Sequence, residues 1–442
     1  MDERRTNGHT GNLVSLAAAP GLLLLVTRIA LAGNTLPVTT CLDDGSAGSL
    51  RSVIAIAANG DSVDLGGLDC PLIQLIAGEL VVAQDNLALT GPGAAMLTIE
   101  PQSNSRVIDH SGTGILAITA LTIRHGTMLS SSIAEGGCIR SAGSLTLDHA
   151  VVSSCTASGV PGAAGGGVFA AGTLDMKSSQ LTNNRAIKSG SAPTPLPSAS
   201  GGGASTHDFS SLDSTVSGNS AEDDSTALSR GGGIDYQGGA FIRRSTIDHN
   251  TANYGGGLAG NGGGTDLVFR STISNNTATV AGGGLYGNAF FNVHQSTVAF
   301  NTGSATGAGG IQNNSTSSGL VDLWSSIVAD NEPSTSAGAD VAADDMKTFA
   351  LSSDQSLVMR TEANILGSII SADPLLGPLA DNGGPTRTHA LLPGSPALQA
   401  GWNTATPCDQ RQAFRGYYVD SDMGAYEDPG EHIFWGDFDV CL

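Results

Sequence analysis

Short alternations of apolar and polar residues recur along the middle of the chain, separated by clusters of glycine or asparagine. Leu145-Thr146-Leu147 and Asp266-Leu267-Val268-Phe269 are two of them. A period of two marks a strand with one buried face. The alternations belong to an imperfect repeat. One half of the repeat is a glycine cluster followed by an apolar residue, as in Gly165-Gly166-Gly167-Val168, Gly231-Gly232-Gly233-Ile234 and Gly255-Gly256-Gly257-Leu258. The other half has the form of Ser271-Thr272-Ile273-Ser274-Asn275-Asn276-Thr277-Ala278. Aligned on Ile273, an apolar column runs Ile123, Val152, Leu181, Val216, Ile247, Ile273, Val298 and Ile327, in steps of about 25 to 35 residues, the spacing of stacked repeats. A unit of two or three strands and tight turns has no room for a helix and cannot bury its own apolar residues. Stacked units can, because each column then lies above itself. The expected fold is all-β, a parallel β-helix solenoid.

A polar column accompanies the apolar one. Asn184, Asn219, Asn250, Asn276 and Asn301 stand three places after it, with Cys155 before them and Asp330 after. Asparagine at the same turn of every coil predicts a ladder of stacked amides that satisfies buried turn groups. Alternation also predicts that Ile273 faces the core and that Ser274, facing outward, tolerates a charge. Pro193, Pro195 and Pro197 mark a protruding loop that lengthens the step from Leu181 to Val216. Residues 333–372 lose the repeat and read as an irregular loop or insertion.

Composition narrows the core and the partners. Aromatic residues are 5% and charged residues 13% of the chain, the latter about half the usual share. A hydrophobic fraction of 40% still fills a core of Ile, Val, Leu and Ala, so the chain is not of the disordered class. The 61 glycines have no three-residue period, which excludes collagen. A net charge of −21 repels phosphate backbones, so nucleic acid is not an expected partner. Arg4 and Arg5, the apolar run Leu13 to Val26 and the site Ala30-Leu31-Ala32 form an export signal over residues 1–32. That run is shorter than the roughly 20 residues that span a bilayer. The expected protein is therefore extracellular or at the cell surface, begins at Gly33 when mature, and is not an integral membrane protein.

Six cysteines in an exported chain predict disulfides, with 15 possible connectivities. Cys41 and Cys70 bracket the N-terminal cap. Cys138 and Cys155 lie on the first full coil, at its glycine and asparagine positions. Cys408 and Cys441 remain as the third pair.

A carbohydrate-active site would need carboxylates for Ca²⁺ with a basic residue, or two opposed carboxylates with room for water. Glu222-Asp223-Asp224 and Asp344-Asp345 read as solvated loop acids. Asp235, Arg243 and His249 share one coil with Arg244 and Asp248, and are the fallback catalytic set. The pairs Asp109-His110, Asp148-His149 and Asp248-His249 read as solenoid grammar rather than a catalytic centre. Gly262-Gly263-Gly264-Thr265-Asp266-Leu267 resembles one calcium nonapeptide but has no tandem copy. No cofactor is expected, and Ca²⁺ is the one metal the sequence leaves open.

The chain ends carry a resemblance. The N-terminal part reads Thr40-Cys41-Leu42-Asp43-Asp44, then Gly48-Ser49-Leu50-Arg51, then Gly60-Asp61-Ser62-Val63-Asp64-Leu65. It is similar to the opening of exported bacterial right-handed β-helix proteins. There the Leu-Arg segment forms a short capping helix and Gly-Asp-x-Val-x-Leu the first strand. The C-terminal run contains Asp373-Pro374-Leu375-Leu376-Gly377, Asp381-Asn382-Gly383-Gly384-Pro385-Thr386, Asp409-Gln410-Arg411 and Asp422-Met423-Gly424-Ala425-Tyr426-Glu427. This resembles the choice-of-anchor type of C-terminal domain. The resemblance implies a pectate-lyase-like solenoid and a bacterial surface address, with no assigned reaction. It divides the chain into residues 1–32 (signal), 33–110 (cap and first coils), 111–332 (repeats), 333–372 (insertion) and 373–442 (anchor-type domain). The expected function is non-catalytic adhesion, binding a glycan or a protein at a cell surface. The alternative is a polysaccharide lyase or glycoside hydrolase using Asp235, Arg243 and His249.

Overall fold

A computed structural model of the protein describes residues 33–190, 198–223, 228–262, 264–288, 290–304, 307–313, 320–332, 341–343, 350–361, 364–402, 408–415 and 421–429. The export signal, Asp224, Asp344-Asp345 and Cys441 lie outside the described residues. The chain winds into a parallel β-solenoid of about ten turns.

A middle coil has four sides. In one such coil, Ile234–Tyr236 forms the first face, Ala240–Arg243 the second, Thr246–Asp248 the third and Thr251–Tyr254 the fourth. Each strand pairs in parallel with its counterpart one coil on, as Ile247 does with Ile273 and Ile273 with Val298. Three corners per coil take left-handed backbone. Arg244 and Arg270 turn the second face into the third, and His249 and Asn275 the third into the fourth. Gly255 and Gly282 turn the fourth into the next first face. That last corner accounts for the glycine clusters. At Gly255 a Cβ would sit 2.2 Å from the Leu258 carbonyl oxygen, and at Gly256 2.6 Å from the Gly283 carbonyl of the next coil. The first glycine permits the turn and the second the stacking distance.

The asparagine column forms the expected ladder. Asn219, Asn250, Asn276 and Asn301 are buried, and each side-chain amide donates to the Oδ1 of the next at 2.9 Å. The same amides also donate to core-strand carbonyls one coil back, such as Asn276 to Ile247. A second ladder lies at the serine before each Thr-Ile pair. The backbone N–H of Ser245 donates to Ser271 Oγ, and that of Ser271 to Ser296 Oγ, both at 3.1 Å.

Two register expectations are corrected. Val298 pairs with Val328, not Ile327. The ladder therefore continues through Asn331, and Asp330 occupies the left-handed corner. Ile327 sits opposite Thr297 and points away from the solenoid core, against Met423. Within the stretch expected to be irregular, Ala350–Val358 and Asn364–Ile370 continue the parallel stack. That part keeps buried Leu351 and Leu357 and the serine ladder at Ser356, but it lacks the glycine and asparagine signals that mark the earlier coils.

The short helix Leu50–Ile56 buries Leu50, Val53 and Ile54 over the first coils, with Ser49 as its N-cap. At the other end the chain folds back. Leu376–Ala380 and Thr388–Leu391 form an antiparallel hairpin, and with residues 408–415 and 421–429 they lie on the outer side of the third face. Thr246 Oγ1 donates to the Arg387 carbonyl at 2.6 Å, Thr272 Oγ1 to Gln410 Oε1 at 2.7 Å, and the Ala425 N–H to Thr297 Oγ1 at 3.0 Å. Gly424 has φ 91°, and a Cβ there would meet Thr297 and Ile327 within 2.8 Å. Ser274 is consequently buried, 2.8 Å from His389 Nε2, and not solvent-facing as alternation alone suggests.

Cys41–Cys70 and Cys138–Cys155 are disulfides, as the register implies. Cys408 is also disulfide-bonded.

Two predictions follow from this packing. Ile273→Asp should cost several kcal/mol by burying an unpaired carboxylate. Ser274→Asp should also be costly, whereas Gln180→Asp, on an exposed position of the third face away from the C-terminal segment, should stay within about 0.5 kcal/mol. Urea unfolding of the three variants checks the ranking. Replacing Cys138 and Cys155 by Ala, which opens a 17-residue separation, should lower stability by about 3 kcal/mol in the loop-entropy picture, read in the same assay.

Candidate binding face

The fallback catalytic residues are placed on three different strands or corners and do not meet. Asp235 is buried on the first face, 3.6 Å from Arg230. Arg243 lies on the second face, where burial and the neighbouring Arg244 lower its pKa. His249 is at an exposed corner, 2.7 Å from Asp248. Among the described residues no hydrogen bond or ion pair joins any two of the three.

The other sequence candidates separate as well. The three Asp-His pairs occupy three different positions rather than one repeated slot. His110 is buried within a strand against Ser141, His149 sits at the corner between second and third faces, and His249 at the next corner. The acidic loop is not simply solvated. Glu222 pairs with Arg185 at 2.7 Å, while Asp223 is buried 3.8 Å from Lys188 and accepts a hydrogen bond from Ser198. Among the described residues no group of three or more His, Cys, Asp and Glu has metal-binding geometry.

Two buried carboxyls depart most from ordinary behaviour. Asp266 points into the core column between Ala240 and Phe291. Tyr236 Oη donates to its Oδ2 at 2.5 Å and the Ala240 N–H to its Oδ1 at 2.9 Å. Burial raises its pKa to about 7 despite those bonds. Burial likewise raises Asp235 to about 7, partly opposed by Arg230. Gly260 makes room for this arrangement, since a Cβ there would lie 2.6 Å from Tyr236 Oη.

The outer side of the second face gathers an aromatic strip. In the strands Ala240–Arg243, Thr265–Phe269, Phe290–His294 and Leu320–Trp324 the inward positions Ile242, Val268, Val293 and Leu323 are buried. The outward positions stack in two columns. One runs Phe241, Leu267, Asn292 and Asp322, and the other Arg243, Phe269, His294 and Trp324. Phe290 lies at the start of its strand, 42% exposed, and Phe241 is 45% exposed. His294 meets Trp324 edge-on with ring centres 5.6 Å apart, and its Nε2 donates to Asp322 Oδ2 at 3.0 Å. That hydrogen bond holds Asp322 below the usual carboxylate range, against its partial burial. Trp402, from the C-terminal segment, is 46% exposed and donates its backbone N–H to Ser325 Oγ, at the corner after Trp324. Sequence reasoning aimed at carboxylate clusters missed this strip.

The raised carboxyls set a pH dependence. Between pH 4 and pH 7 the folded chain holds protons on Asp266 and Asp235 that an unfolded chain releases, so stability falls as pH rises through that window. Urea unfolding at pH 4.5 and 7.5 should show the loss, and Asp266→Asn should reduce it. An unchanged slope in the variant contradicts the assignment.

No family model, curated protein or solved structure matches this chain.

Proposed function

We propose that the protein is an exported, cell-surface binding protein, non-catalytic, that holds a neutral glycan along the outer side of its second face. The observation that carries this reading is the aromatic strip of Phe241, Phe269, Phe290 and Trp324 beside Asn292, His294 and Asp322. Aromatic and apolar surface interleaved with a few fixed polar groups is the composition of ligand-binding sites. In a chain with only 5% aromatic residues, four on one open face form a concentrated patch. The net charge of −21 disfavours anionic polymers such as pectate. Asp235, Arg243 and His249 lie apart, which argues against a lyase or hydrolase centre built from them. Export is supported by the basic start, apolar run and Ala-x-Ala site, together with disulfides that suit an oxidising compartment. No described helix is long and apolar enough to cross a membrane. The C-terminal segment, with its resemblance to the choice-of-anchor type, serves surface retention. No cofactor takes part, and many copies on one cell raise avidity from modest single-site affinity.

A neutral-glycan array probed with protein from Gly33 onward tests the reading. Binding should be detected, and Trp324→Ala or Phe269→Ala should weaken it by roughly tenfold, the loss of about 1.4 kcal/mol of stacking and apolar contact. The same preparation should release no unsaturated uronides or reducing ends, with or without Ca²⁺. Turnover lost on changing Asp235, Arg243 or His249 would replace the binding reading with the enzymatic one.

A further inference from the structure

The cross-section of the solenoid changes abruptly near its N-terminal end. The link from third to first face has four residues between Leu75 and Leu80, six between Pro101 and Ile108, and fourteen between Arg124 and Ile139. Only the longest of these links carries a fourth-face strand, Thr127–Ser130. That strand is therefore the terminal member of the six-stranded fourth-face sheet. It pairs on one side with Thr156–Gly159. On its other side the shorter coils leave a cleft of about 550 Å³, bordered by Glu79, Val81, Asn104, Ser105 and Arg106.

The hydrogen-bonding sense of this edge is fixed by its neighbours. The carbonyls of Gly126 and Ser130 accept from Thr156 and Val160 of the next coil. Residues 126, 128 and 130 thus face that coil, and residues 127 and 129 face the cleft. The Thr127 N–H donates to the Ser105 carbonyl at 2.9 Å. Among the described residues, no partner meets the Thr127 carbonyl or the Leu129 N–H and carbonyl. Leu129 is 59% and Val81 56% exposed beside this free edge. Unpaired strand edges are normally blunted by charge, proline or a covering segment, and Thr127-Met128-Leu129-Ser130 carries none of the first two. The two arginines of the cleft are engaged. Arg51 bonds Asp43 and the carbonyls of Gly78 and Glu79, and Arg106 bonds Glu79 and the carbonyls of Glu135 and Gly136. Glu79, the carboxylate lining the cleft, is itself paired with Arg106, so the charges of the cleft are matched and the acidity of the chain as a whole disfavours an anionic occupant.

We infer that this edge is a β-augmentation site for an extended peptide segment of a partner protein, one with alternating apolar side chains and neutral or positive charge. The peptide adds as a seventh strand to the fourth-face sheet, exchanging backbone hydrogen bonds with Thr127 and Leu129 and placing an apolar side chain against Val81 and Leu129. This site is on a different face from the aromatic strip and is independent of the glycan reading.

The probe is a set of fluorescein-labelled hexapeptides alternating Val or Ile with Thr or Lys, read by fluorescence anisotropy on protein from Gly33 onward. At least one should bind saturably. Leu129→Pro removes the outward N–H without touching the bonds to the next coil, as an edge position allows. It should weaken binding by at least about tenfold with an unchanged unfolding midpoint, and a peptide N-methylated at alternate amides should not bind. Trp324→Ala should leave peptide binding intact. The inference is overturned if no peptide binds, if the N-methylated peptide binds equally, or if a folded Leu129→Pro variant retains full affinity. Self-association abolished by Leu129→Pro, without peptide binding, would make the occupant a second copy and also overturn it. Should Leu129→Pro misfold, protection of the Leu129 amide from hydrogen exchange by the parent peptide decides between the same outcomes.

Discussion

A buried asparagine whose side-chain amide donates to the next coil, while its side-chain oxygen accepts the backbone N–H of the last, is the interaction on which this molecule rests. Left-handed corners would otherwise strand polar backbone groups inside an apolar stack, at roughly 1–3 kcal/mol for each unsatisfied group. Asn184, Asn219, Asn250, Asn276, Asn301 and Asn331 remove that cost in series, and the serine ladder does the same one corner earlier. Because an asparagine out of line breaks bonds on both sides, the ladders fix the register of every strand between them. Columns then form on the outside of the solenoid as well as inside, and an outward column is what turns scattered Phe, His and Trp into a continuous strip.

The C-terminal segment decides which outer columns stay open. The third face presents Thr246, Thr272 and Thr297, whose hydroxyls meet Arg387, Gln410 and Ala425. Asp248 there meets Arg387 at 2.6 Å. The conspicuous Asp-Gln-Arg and Asp-Met-Gly-Ala-Tyr-Glu sequences are thus the clamp that seals one face. Asp409 holds Arg411, which lies over Tyr426, and Arg415 holds Glu427, whose pKa burial raises to about 8. Among the described residues, the second face, one corner away, meets the C-terminal segment at its border, where Trp402 bonds Ser325 and Thr386 bonds Arg244.

The solenoid, its core column and the amide ladder were legible because each rests on a residue type that a fixed turn demands in every coil. Ile327 was placed one position early because spacing cannot tell it from Val328 when the coil length changes by a few residues. The coils through Ala350–Val358 and Asn364–Ile370 were not legible, since a strand that keeps only Leu351, Leu357 and Ser356 resembles a loop once its glycine and asparagine neighbours are gone. Ser274 shows the limit of alternation. The pattern gives its direction away from the core but not what covers that side, which is set by His389, 115 residues later. The aromatic strip was hidden for a related reason. Its members become neighbours only when second-face strands of unequal spacing are brought into register, and the free edge at Leu129 depends on the length of a link that belongs to a different coil.

Backbone hydrogen exchange at the ladder residues tests the central claim most directly. The N–H groups of Asn219, Asn250 and Asn276 each donate to an asparagine side chain one coil on, not to the backbone. If those side chains hold the stack in register, these amides should exchange as slowly as the core-strand amides of Ile247 and Ile273, through global unfolding only. Exchange at the rate of exposed turn amides, with the core strands still protected, would show that the coils stack without the ladder and would contradict the account.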